Sequence, residues 1–107
     1  MSVELNREDY DTAVLKSKGV MLVDFWGPLC KPCLALMPAV EQLEKDYAGR
    51  ISLGKVNSVQ NRMLCARLRV MSLPTFILYK DGVETERLTG EDLRASDIKA
   101  AIERTVV

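Results

Sequence analysis

The chain has 107 residues, 48% of them apolar and 28% charged, with 15 basic side chains against 15 acidic, three cysteines and no histidine. This length suits one domain, 1–107, with its own core. The charge balance gives no basic surface for nucleic acid or an anionic membrane, and three cysteines do not make a disulfide framework. No apolar run nears the ~20 residues of a spanning helix, and the polar start through Asp9 is unlike a signal peptide, so the expected setting is the reducing cytoplasm.

In chain order, a possible short strand at Val3 to Leu5 comes first. Asn6 then reads as an N-cap, with Asp9 three residues on and a stripe of Tyr10, Ala13 and Val14 predicting a short helix to about Lys16. Val20 to Trp26 is a nearly continuous apolar run, as in a strand buried on both faces. From Lys31 to about Tyr47, Leu36, Val40, Leu43 and Tyr47 recur at helical spacing, with Pro38 expected to kink the helix and Gly49 to close it. Ile51 to Val56 predicts a second central strand, and Asn61 to Leu68 a weaker helix. Thr75 to Lys80, the turn Asp81-Gly82 and Val83 to Leu88 make a hairpin, its last strand carrying Glu84, Glu86 and Arg87 as a sheet edge would. Ile98, Ala101, Ile102 and Thr105 mark the buried face of a terminal helix. The pattern is α/β, a mixed sheet flanked by helices, with no repeat or linker.

The chemistry gathers at Cys30-Lys31-Pro32-Cys33, between an apolar strand and a helix. Two thiols at this spacing can close as a disulfide or open as a dithiol. A helix N-terminus favours negative charge on the first of them. A metal site is the competing reading. Zinc takes four ligands, however, and the chain offers only Cys65 beyond the pair, unless two copies share their cysteines. Asp24 interrupts the most apolar strand. Burial there would raise its pKa and poise it for proton transfer; an edge-facing, solvated aspartate is the alternative.

Asp24-Phe25-Trp26, Cys30-Lys31-Pro32-Cys33 with Pro38 beyond it, Leu73-Pro74-Thr75 and Gly90 stand in an order and spacing that resembles the thioredoxin family over essentially the whole chain. The resemblance implies the thioredoxin fold, with a central mixed sheet of four to five strands and helices on both faces. It implies a thiol–disulfide oxidoreductase that reduces protein disulfides and is re-reduced by a partner reductase. Cys30 would be the exposed nucleophile, Cys33 the more buried resolving thiol, and Asp24 the group that moves protons for Cys33. Pro74 would be cis, turning Met71, Ser72 and Leu73 toward the cysteines so that Leu73 pairs with an extended substrate. Trp26, Leu29, Pro32, Leu73 and Gly90 would ring the disulfide as a shallow docking surface, although Trp26 reads equally well as core.

The chain departs from the family at three points. Leu29 replaces the usual tryptophan before the first cysteine, Gly27-Pro28 replaces a small-acidic pair, and Lys31 replaces glycine. The first two bear on which proteins dock. Lys31 would stabilise the Cys30 thiolate and so the reduced form, giving a modestly more oxidising potential. Cys65, among Arg62, Arg67 and Arg69, reads as a small packing residue, with a regulatory thiol as the alternative.

The expected protein is therefore a cytoplasmic monomer whose only redox group is the Cys30–Cys33 disulfide, with no further cofactor and no metal. Its expected partners are a reductase and disulfide-bearing proteins, with no nucleic acid and no membrane. A binding module on the same fold is one competing class, and an oxidase or isomerase, toward which Lys31 leans, is another.

Overall fold

A computed structural model describes residues 2–107. Five strands form one sheet in the order β1-β3-β2-β4-β5: β1 (Val3–Glu4), β2 (Val20–Trp26), β3 (Ile51–Asn57), β4 (Thr75–Lys80) and β5 (Val83–Thr89). The first three run parallel, and β4 and β5 are antiparallel to their neighbours. Helices α1 (Lys31–Asp46), α2 (Arg62–Leu68) and α3 (Ala95–Val106) connect and cover them. The sheet is mixed, as the pattern predicts, and its five strands are the upper of the four to five that the resemblance implies.

Strand alternation divides the core in two. Val20 and Leu22, with Ile51, Leu53, Phe76 and Leu78, face Val40 and Leu43 of α1 and Ile98, Ala101 and Ile102 of α3. Val23 and Phe25, with Val56, Ile77 and Tyr79, face the other way onto Tyr10, Val14, Leu64 and Cys65. Because β2 is central and covered on both sides, its sequence reads as unbroken hydrophobicity. Asp24 shares the phase of Val20 and Leu22, which puts it on the α1 side.

Most element boundaries agree with the periodicity, and β3 and β5 each extend one residue further. The extra residues are held by the pairs Trp26↔Asn57 and Thr75↔Thr89. Pro38 lies within α1 without ending it. The N-terminal segment differs more. In place of an α-helix it forms a single wide turn, Asp11–Leu15, in which the Lys16 N–H donates to the Asp11 carbonyl at 3.1 Å. Asn6 is not its cap. The Asp9 carboxylate accepts from the Asn6 N–H at 2.7 Å, while the Asn6 side chain accepts from Asn61 Nδ2 at 3.3 Å. Asn61 is buried and also accepts from the Arg7 N–H, so a tertiary bond takes the group that the local pattern assigned to capping.

The hairpin turn has positive φ at both Asp81 (53°) and Gly82 (82°), as a two-residue turn matched to strand twist requires. A Cβ on Gly82 would fall 2.1 Å from the Leu15 carbonyl oxygen, so this turn can close against the N-terminal one only through glycine. Among the described residues no helix is long and apolar enough to cross a membrane.

Candidate active site

Cys30 sits at the N-cap of α1 in an extended conformation, φ −87° and ψ 99°, at the end of the short loop that leaves β2. Pro32 follows within the first turn, where its missing N–H would have had no intrahelical partner in any case. One turn of helix brings Cys33 back over Cys30. The two are joined as a disulfide with Cα atoms 5.2 Å apart, and the Cys33 N–H donates to Cys30 Sγ at 3.2 Å. Cys30 is half-buried, whereas Cys33 is 1% exposed. The outer sulfur is thus the one a partner can reach, and it occupies the site where helix N–H groups stabilise negative charge.

The Leu73–Pro74 bond is cis. A Cβ on Gly27 would meet Leu73 Cδ1 at 3.2 Å and Cys30 Cβ at 4.0 Å, so the Leu73 side chain covers the loop just ahead of the disulfide. Neither backbone group of Leu73 has a hydrogen-bond partner among the described residues. Gly90, at φ 121°, donates its N–H to the Pro74 carbonyl at 3.1 Å. Thr89 joins the same assembly through Ser72 Oγ and Thr75 Oγ1, each 2.9 Å away. Thr75 Oγ1 in turn donates to the Ser72 carbonyl at 2.7 Å. The sequence could flag Pro74 and Gly90, but the three hydroxyls meet only because β5 pairs with β4 in this register.

Around the disulfide, Leu29 is 93% and Met71 91% exposed, Ser72 is exposed, and Trp26, Pro32 and Leu73 are half-buried. The Trp26 indole nitrogen and the hydroxyl of Ser58, just past the end of β3, are buried without a hydrogen-bond partner among the described residues. Lys31 is exposed at the first helical position. Cys65 lies elsewhere, buried with Leu64 and Tyr10 on the far side of the sheet, as its packing reading expected.

On the α1 side of β2, Asp24 is 1% exposed, and among the described residues neither carboxyl oxygen has a hydrogen-bond partner. Burial pushes its pKa up from 3.8 to about 7. Lys55 opposes that rise, while Glu4 and Glu41 add to it. The solvated, edge-facing alternative is thereby ruled out. Lys55 is the neighbour that sequence reading passed over. It pairs in register with Asp24 across β2 and β3, is 7% exposed, and donates from Nζ to Glu41 Oε2 at 2.6 Å. The signal was available: each of two adjacent apolar strands carries one charge, at matching depth.

A family model described as Thioredoxin matches residues 1–104. The chain belongs to the thioredoxin family. It is 37% identical to a thioredoxin of Acetoanaerobium sticklandii over 103 residues, covering 96% of this chain and 98% of that one. To a thioredoxin of Peptoclostridium acidaminophilum it is 36% identical, with 97% and 94% covered. To one of Staphylococcus aureus it is 38% identical over 88 residues, covering 82% and 83%. With these relatives and the Cys30–Cys33 disulfide, this thioredoxin-family chain is a thiol–disulfide oxidoreductase of the protein-disulfide reductase type. The family works with reductases and disulfide-bearing targets in general.

Proposed function

We propose that this chain acts as one domain carrying reducing equivalents to protein disulfides in the cytoplasm, as a monomer re-reduced by a dedicated reductase. The observation that carries the reading is the asymmetry of the pair, with Cys30 reachable at a helix N-cap and Cys33 sealed behind it. In the reduced protein the Cys30 thiolate attacks one sulfur of a substrate disulfide. The substrate S–S bond breaks, a mixed disulfide to Cys30 forms, and the other substrate sulfur leaves as a thiolate. Cys33 then loses its proton and attacks Cys30 Sγ. That step re-forms the intramolecular disulfide and releases the second substrate sulfur. Two electrons have passed to the substrate, and a reductase returns them by the reverse exchange.

Asp24 is the group assigned to the Cys33 proton. A carboxyl that titrates near 7 is about half ionised at neutral pH, so it can both take and return a proton within one cycle. Leu73 offers unpartnered backbone groups to an extended substrate segment, and Trp26, Leu29, Pro32, Met71, Ser72 and Gly90 form the rim around it. Leu29 and Met71 make that rim more apolar and select among targets accordingly. The disulfide is the only redox group the mechanism requires.

Insulin-type disulfide reduction with dithiothreitol tests the reading. Cys30→Ser is expected to abolish turnover. Cys33→Ser is expected to stall as a mixed disulfide through Cys30, recoverable from cell extract. A Cys33→Ser protein that traps nothing through Cys30 would overturn the reductase assignment.

A further inference from the structure

Asp24 and Lys55 are register partners on neighbouring parallel strands, both buried and both on the side of the sheet that α1 covers. Opposite charges so placed ordinarily pair, and a pair would hold the carboxylate ionised and unable to accept a proton at neutral pH. That pair is not made. The Lys55 ammonium instead donates to Glu41, which stands on α1 eight residues beyond Cys33, with its side chain 49% exposed. Among the described residues Asp24 keeps both oxygens without hydrogen-bond partners. The bond to Lys55 holds the Glu41 carboxyl below its ordinary range, so Glu41 stays charged wherever Asp24 titrates.

The charged groups facing Asp24 are few. Lys55 comes from β3, Glu4 from β1 and Glu41 from α1, with Cys33 on the same helix. Its β4 partner is Phe76, and α3 contributes Ile98, Ala101 and Ile102 to that side of the core. Lys55 is therefore the cation that acts on it among the described residues, and whether Glu41 holds Lys55 bears directly on the state of Asp24.

We propose that Glu41 is a positioning residue for proton transfer at the active-site disulfide: by engaging the Lys55 ammonium it keeps Asp24 unpaired and able to exchange a proton with Cys33. This rests on the reading of Asp24 as the proton acceptor. Glu41 touches neither sulfur and acts through Lys55. Removing its charge has two effects of the same sign, since the repulsion on the Asp24 carboxylate disappears and Lys55 is released to pair with it.

The test is titration of the Asp24 carboxyl by carbon-13 NMR in the oxidised protein, alongside the pH profile of disulfide reduction. Glu41→Gln removes the carboxylate that holds Lys55 at nearly the same side-chain size and is expected to make Asp24 about tenfold more acidic, lowering its midpoint by about one pH unit. The reduction profile is expected to move the same way. Lys55→Met is expected to raise the midpoint, and in that background Glu41→Gln should have much less effect, because the intermediary is gone. An unchanged midpoint in Glu41→Gln overturns the proposal, as does an equal shift in the Lys55→Met background. If the midpoint moves and the reduction profile does not follow, Asp24 is not the proton acceptor and the positioning role falls with it. A Glu41→Gln midpoint that stays put while Asp24→Asn slows reduction overturns the role of Glu41 alone.

Discussion

On the side of the sheet covered by the Asp11–Leu15 turn and α2, Tyr10 and Tyr79 bury their hydroxyls against each other at 2.7 Å. On the side covered by α1 and α3, Asp24 buries a carboxyl that has no hydrogen-bond partner among the described residues. Both groups sit behind the same central strands, and both have their pKa raised chiefly by burial. The consequences differ. A phenol that starts near 10 and is pushed higher stays neutral at all physiological pH, and its hydrogen bond makes it part of the packing. A carboxyl that starts at 3.8 and is pushed to about 7 arrives where a proton can be exchanged. A structure concerned only with stability would have paired Asp24 with Lys55 or replaced it with an apolar residue. This chain leaves the group unsatisfied on the face that α1, the helix carrying the disulfide, covers, and perturbed acids of this kind cluster at functional sites.

The largest expected effect is on the Asp24 side. The folded-state pKa of Asp24 lies above the unfolded value. The contribution of its neutral form is therefore fully present below about pH 4 and is lost as pH rises through about 7. Asp24→Asn should hence leave this contribution unchanged near pH 4 and gain stability steadily up to pH 7. Above pH 7 the gain levels off at roughly 4 kcal/mol. Urea unfolding at a series of pH values measures it, and a gain that does not depend on pH would show that ionisation is not the cause.

On the tyrosine side the sign reverses and the pH dependence vanishes. Tyr79→Phe strands the Tyr10 hydroxyl and is expected to cost about 1–3 kcal/mol, with much of that recovered when Tyr10→Phe is added. Because both phenols have raised pKa values, the loss should be flat from pH 5 to 8. A pH-dependent loss would break the contrast between the faces.

The smallest effect belongs to the surface. Lys31 is exposed, so water and salt screen its influence on the thiolate, and Lys31→Gly is expected to lower the reduction potential by on the order of 10 mV. Equilibration with glutathione reads this shift, and an equal or higher potential would remove Lys31 from the account.

Much of the site was legible because its residues contradict their surroundings. An aspartate inside an apolar strand, two cysteines at a strand–helix junction and a proline before a strand each break a local pattern. Asn6 shows the converse. Its sequence context spells a helix cap, but Asn61, 55 residues away, engages its side chain. No local rule contains that partner. Trp26 was ambiguous for a related reason, since it is half-buried at a strand end and belongs partly to both readings.

Hydrophobic periodicity and the spacing of glycine, proline and cysteine are properties of neighbours along the chain. They were sufficient for most of the elements, for the mixed sheet and for the dithiol at the head of α1, but not for the wide turn at Asp11–Leu15. What depended on the three-dimensional fold was which charges meet. Strand order sets Asp24 beside Lys55, and the packing of α1 on that face brings Glu41 to Lys55 first. Charge interactions act through space, over a few ångströms that the chain crosses only after it has folded. The sequence could name an acid behind the disulfide, but only the packed sheet and helix determined that it would stand unpaired.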